Sequence, residues 1–288
     1  MTVLPQDELI IALEKALPEI AEEHAQIATP WNPHDWVPWD AGRNFAFLGG
    51  DDWDPSQGTM SEEVRAATLA LLLTKDNLPS YHRVLAIHFP AFSDWRQLVG
   101  VWTAEDNRHA IVLRDFLVVT RAIDPLDAEE RRLHHVTQGY RQHTEKVVGL
   151  SPLDTLALMA VHENQCVAFI EKLSAVVDDD VYKQILAKIS GDDAAQARTF
   201  GSFLNAGLIA DQDATVVAID EALAKLEPIG SDVTDFAPEW ALISDYENDA
   251  TKAKIAATFV DQLKLNSVAG LSDEAESARQ RILALAAG

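Results

Sequence analysis

WTAEDNRHAIVLRDFL, residues 102–117, sets Asp106 and His109 three residues apart on the stripe that also carries Trp102, Leu113 and Leu117. Residues three and four apart share one face of a helix, so a carboxylate and an imidazole project together from an apolar surface. Buried charge is tolerated when it is paired, hydrogen-bonded or bound to metal. Three other stretches repeat the pattern. In LALMAVHENQCVAFI (156–170), Glu163 shares its face with Met159, Ala160, Cys166, Val167 and Ile170. In AKISGDDAAQARTFGSFL (187–204), Asp193 and Gln196 are again three apart, on the face of Ile189, Phe200 and Leu204. In LALLLTKDNLPSY (69–81), Lys75 follows Leu71 by four and Leu72 by three, so an ammonium falls where a core residue is due.

Outward from these stretches the chain repeats apolar residues at helical spacing, and β-branched runs with strict alternation are scarce. The class expected is all-α. An amphipathic segment over about 6–26 precedes a Trp- and Pro-rich ordered loop, WNPHDWVPWDAGRNFAFLGGDDWDPSQG. Ser61 caps a helix pattern reaching about Phe89, with Pro79 a kink in it. Further helices are predicted over about 94–121, 128–148, 152–177 and 180–208, the third of these starting from the Ser151-Pro152 cap and N1 pair. Long helices on short connectors make a bundle, read as a single domain over 1–288 with the C-terminal helices packed on it.

Composition narrows the partners. Forty-eight per cent of the 288 residues are hydrophobic, enough for a sizeable core, and a net charge of −23 repels nucleic-acid phosphates and anionic membrane surfaces. The lone Cys166 fits a reducing cytoplasm, the start lacks a basic signal region, and the longest near-apolar run, 66–73, is too short to span a membrane. His162-Glu163 begins an H-E-x-x-H pattern, but Cys166 stands at its second ligand position.

One inward Asp or His is ordinarily part of a satisfied structural network. Four such positions on four helices instead reproduce the plan of carboxylate-bridged di-metal bundles. The stretches NFAFLGGDDWDPSQ (44–57), LLTKDNLPSYHR (72–83), WTAEDNRHAIVLRDFLVVTR (102–121), the His-Glu pair at 162–163, GDDAAQ (191–196) and GLSDEAESAR (270–279) resemble the soluble acyl-ACP desaturases, closest to their actinobacterial, mycobacterial branch. The resemblance covers nearly the whole chain. It implies a ferritin-like bundle, usually a homodimer. It also implies a di-iron centre that uses O₂ and ferredoxin electrons to desaturate an acyl chain on acyl carrier protein.

Carried over residue by residue, the family's ligand set is only partly kept. His109 and Glu163 match; Asp106 and Asp193 stand where the family has Glu, Lys75 where it has Glu, and Gln196 where it has His. Two readings follow. Either Lys75 substitutes for metal in an ion-pair network with Asp106, Glu163 and Asp193, with His109 and Gln196 as hydrogen-bonding partners. Or it snorkels outward, and Asp106, His109, Glu163 and Asp193 hold one Fe, Mn or Zn. The first is preferred, since Gln is a weak ligand and Asp reaches one methylene less far than Glu. Function divides accordingly: an oxidoreductase with an altered centre, or a catalytically inactive acyl-ACP-binding protein or regulatory partner of an active paralogue. Arg131, Arg132, Arg141 and Lys146 belong to the most basic stretch and are the candidate docking surface for the acidic carrier.

Overall fold

The computed structural model describes residues 4–90, 92–138 and 149–288, and among these there are helices and turns but no strand. The helices are α1 (Gln6–Glu14), α2 (Leu17–Ile27), α3 (Glu62–Asp76), α4 (Leu78–His88), α5 (Arg96–Val119), α6 (Pro125–Gln138), α7 (Pro152–Val176), α8 (Asp180–Ala210), α9 (Gln212–Ala224), α10 (Ala237–Ile243), α11 (Asp249–Gln262) and α12 (Asp273–Ala287). Their starts are written locally. Ser61 accepts from Val64 N–H, Ser151 and Asp154 form a reciprocal capping box ahead of Pro152, and Asp179 accepts from Tyr182 N–H.

Two predicted helices are each a pair. The kink expected at Pro79 is a break, with Asn77 between α3 and α4 at ψ 13° and Pro79 in the first turn of α4. A proline inside a continuous helix would lose a hydrogen bond and press its ring on the carbonyl four residues back, here that of Lys75. Pro18, at the start of α2, separates α1 from α2 in the same way.

The Trp- and Pro-rich loop is ordered by 3₁₀ turns at Pro33–Trp36, Trp39–Ala41, Ala46–Leu48 and Pro55–Gln57. Arg121, buried at the C-terminal end of α5, donates to the carbonyls of Arg43, Asn44, Asp51 and Asp52, which satisfies loop backbone that no ladder serves. Its aromatics do not all pack inward: Trp31 reaches the bundle interior, whereas Phe47 and Trp39 are exposed.

Two apolar clusters divide the long helices. Leu98, Val99 and Trp102 of α5, Leu153 to Val161 of α7, and Phe200, Phe203 and Leu204 of α8 belong to one cluster with α1, α4 and the C-terminal helices. Ala110 to Leu117 of α5, Cys166 to Leu173 of α7, and Tyr182 to Ile189 of α8 belong to the other, with α3. On each of the three long helices the residues between the clusters are polar: Asp106 and His109, His162 and Glu163, and Asp192, Asp193 and Gln196. A buried polar layer lies between two apolar cores, and Lys75, at the end of α3, enters it.

Candidate functional site

Lys75 is 1% exposed, so of the two readings the snorkelling alternative is the one the structure does not show. Its Nζ lies 2.9 Å from Asp106 Oδ1, 2.8 Å from Asp193 Oδ1 and 3.8 Å from Glu163 Oε2. One ammonium thus faces a carboxylate from each of α5, α7 and α8. The break at Asn77 follows two residues later, so Lys75 sits in the last turn of α3, where the helix dipole favours a cation.

His109 completes the layer. Its Nδ1 is 3.0 Å from Asp106 Oδ1 and 3.4 Å from Asp193 Oδ1, and its Nε2 is 3.0 Å from Asp192 Oδ2. Asp192 also accepts from Trp31 Nε1 at 2.8 Å and from Arg108 Nη2 at 2.9 Å. On the opposite side Trp102 Nε1 donates to Glu163 Oε1 at 2.8 Å. Asp106, His109 and Asp193 can each offer a ligand atom within 4.8 Å of the others, and so can His162, Glu163 and Cys166. Glu163 Oε2 and Asp193 Oδ2 are buried without a hydrogen-bond partner.

Titration follows from this geometry. Burial opposes the Lys75 charge, but Asp106 and Asp193 outweigh it and raise its pKa further. Burial would raise Asp106; Lys75 and the His109 hydrogen bond hold it well below the usual carboxylate range. Burial alone would lower His109, yet Asp193 and the bonds to Asp106 and Asp192 hold it up to about 9. Glu163 is pushed up to about 8 by burial, with Asp193 and Asp106 adding to the rise and Lys75 opposing it. Burial pushes Asp193 up against the pull of Lys75 and His109. At neutral pH Lys75 and His109 are therefore both charged beside Asp106, and Glu163 holds its proton.

The raised values have a signed consequence for stability. Glu163 binds its proton more tightly in the folded chain, so its contribution is complete below about pH 4.5 and is lost as pH rises to about 8. The His109 contribution is complete below about pH 6.5 and is lost as pH rises to about 9. Chemical denaturation should therefore show stability falling by roughly 5 kcal/mol between pH 6.5 and 9. Glu163→Gln keeps an acceptor for Trp102 and should flatten the part of that fall below pH 8. A stability that is level or rising over this interval contradicts the charge assignment.

Gln196 does not join Lys75, contrary to expectation. Its Nε2 donates to Glu105 Oε2 at 3.2 Å, and Glu105 also receives His24 Nε2 at 3.1 Å. The imidazole the family has here would be replaced by an amide that turns toward α2. Arg131 is held by Asp127 at 2.8 Å and Glu239 at 3.3 Å, and Arg132 by Glu129 at 2.6 Å. Arg141 and Lys146 lie outside the described residues. Cys166 is buried beside His162 Nε2, at 3.8 Å, and burial raises its thiol pKa, which suits a packed thiol rather than a nucleophile.

Sequence reading missed Asp192, Trp31, Glu105 and His24. His24 carried a signal, since it continues the Leu17, Ile20, His24 spacing of buried positions on α2. Asp192 and Trp31 carried none, because a loop residue 161 positions away supplies the contact.

Facing helices that bring carboxylates and an imidazole into a layer between apolar cores define a ferritin-like helical protein. The fatty acid desaturase family matches the chain over residues 5–288, and the chain belongs to that family. DesA2 of Mycobacterium tuberculosis, named as an acyl-[acyl-carrier-protein] desaturase, is 36% identical over 239 residues, 83% of this chain and 85% of its own. DesA1 of the same organism, named likewise, is 39% identical over 65% of this chain and 56% of its own. The X-ray structure of DesA2 superposes with a TM-score of 0.76 at 27% identity, covering 94% of this chain and 99% of that one. No helix among the described residues is long and apolar enough to cross a membrane.

Proposed function

We propose that this chain binds an acyl chain carried on acyl carrier protein and does not assemble a di-iron centre. Desaturase names of its mycobacterial relatives support the carrier-borne substrate. The observation that carries the second half is the Lys75 ammonium, buried between Asp106 and Asp193 at 2.9 and 2.8 Å. Family membership implies iron, and the residues present do not fit two ions. A divalent ion on those carboxylates would stand about 4 Å from the ammonium, a repulsion of about 8 kcal/mol at the effective dielectric constant of a protein site. Lys75 and His109 already stand against Asp106 and Asp193 as cations, and Gln196 is turned to Glu105.

A second reading has one supporting observation. Asp193 Oδ2 is buried without a hydrogen-bond partner and belongs to the Asp106, His109, Asp193 cluster, which suits one divalent ion. On that reading Lys75 is displaced, Glu163 joins the metal, and O₂ with ferredoxin-type electrons supports an altered oxidation. Elemental analysis of protein loaded anaerobically with Fe(II), followed by titration with acyl-ACP, separates the two. We expect far less than one metal per chain together with saturable binding of acyl-ACP. One tightly held metal establishes the second reading; two irons, or no binding of acyl-ACP, overturn the proposal. In keeping with the resemblance, we assign the protein to the cytoplasm as a homodimer.

A further inference from the structure

One turn of α7 carries His162, Glu163 and Cys166, and all three side chains are buried. His162 and Cys166 stand four residues apart on one face of the helix, with Nε2 3.8 Å from Sγ. Each of the three residues offers a ligand atom within 4.8 Å of the other two. Glu163 Oε2 is buried without a hydrogen-bond partner. Tyr81 stacks on the His162 ring at 4.1 Å between centroids, which fixes the plane of the imidazole.

Metal bonds of about 2.3 Å to sulfur and about 2.0 Å to an imidazole nitrogen bridge a 3.8 Å gap with an angle at the ion of about 125°. One ion therefore touches Sγ and Nε2 as they stand, at an angle wider than a tetrahedral site provides. Thiolate with imidazole selects copper(I) or zinc(II). Zinc closes a tetrahedron, and among the described residues this cluster offers three ligands, one of them Glu163, whose Oε1 already accepts from Trp102. Charge points the same way. Lys75 Nζ stands 3.8 Å from Glu163 Oε2, so an ion that adds positive charge here meets the ammonium. A monovalent ion that takes the place of the thiol proton adds none. The S–H bond breaks, an S–metal bond forms, the proton passes to solvent, and the metal keeps its oxidation state. His162 also lines a cavity of about 20 Å³ with Thr74, Gln165 and Asp232, room for one water molecule, which gives an ion a way to the pair from the imidazole side.

We infer that His162 and Cys166 bind one soft monovalent metal ion, copper(I), between Nε2 and Sγ, with the unpartnered oxygen of Glu163 as a third and weaker contact. Of the ligand positions that the desaturase resemblance implies, this site uses Glu163 alone. It does not rest on the acyl-carrier reading, because copper uptake and acyl-ACP binding are separate measurements and either can fail without the other.

The test is anaerobic equilibration of the full chain with copper(I) held as its bicinchoninate complex, followed by ultraviolet absorbance. The chain should withdraw one copper(I) per molecule and gain a thiolate-to-copper charge-transfer band, which Cys166, as the single cysteine, alone can supply. Cys166→Ser should lose the band and weaken copper binding more than about a hundredfold, beyond what loss of an outer partner costs, whereas His162→Gln should keep the band and weaken binding at least about tenfold. Circular dichroism establishes that each variant is folded. Both positions are buried, so the parent chain also decides by itself: no withdrawal of copper(I), uptake without the band, or displacement of copper(I) by an equal concentration of zinc(II) overturns the inference. So does a folded Cys166→Ser that binds copper(I) as the parent does.

Discussion

Lys75→Met is expected to cost about 3–5 kcal/mol of folding stability, because it removes the ammonium that Asp106 and Asp193 share and leaves them His109 alone. For a chain of this size that is a fall of about 10 °C in the unfolding midpoint. Methionine matches the length and flexibility of the lysine stem, so the loss measures charge rather than a cavity. The decisive comparison is the triple variant Lys75→Met, Asp106→Asn, Asp193→Asn. It removes both orphaned charges and should recover most of the loss, since replacing a whole buried ion network costs far less than removing one member. A triple variant no more stable than Lys75→Met would show that lysine packing, and not its ammonium, holds the layer together. Thermal scans at pH 6.5, where His109 remains charged, give the cleanest reading.

The second large effect is a gain. Lys75→Glu with Gln196→His restores the residue types that the desaturase resemblance implies at both positions, and replaces one cation by an anion in the middle of the layer. The surplus negative charge then needs a cation from outside. Without metal the double variant should be less stable than the parent; with Fe(II) or Mn(II) it should regain stability and carry metal through gel filtration. Elemental analysis and the chelator dependence of the unfolding midpoint read this directly. A correctly folded double variant that takes up no more metal than the parent would show that Lys75 and Gln196 are not what excludes it. The shortened Asp106 and Asp193 would then be the cause, with Asp→Glu at each the next substitution.

Much of this was legible in the residues because helical periodicity is a local property. The spacing of Asp106 with His109, and of Asp193 with Gln196, follows from 3.6 residues per turn, and the apolar residues around them announce burial before any coordinate is known. Ser151-Pro152 and Ser61 mark helix starts through bonds made within one turn. Helix ends were less legible. Pro79 could kink a helix or break it, and the choice depends on what packs beyond Asn77.

Residue types and spacing by themselves determined that the chain is helical and that polar side chains on four helices face inward, and the resemblance marked Lys75 and Gln196 among them as departures from a metal-ligand set. Only the tertiary structure decided where each polar atom goes. An ammonium on a four-carbon stem can reach solvent or core with equal local propriety, and burial among three helices is what turns Lys75 inward. Gln196 could have faced Lys75 on spacing alone. Glu105, on the adjoining face of α5, and His24, from a helix 172 positions earlier, draw its amide the other way. The physical reason is the range of the interactions: helix spacing fixes a direction within one turn, whereas the partner of a buried charge is set by helices that meet only when the bundle closes.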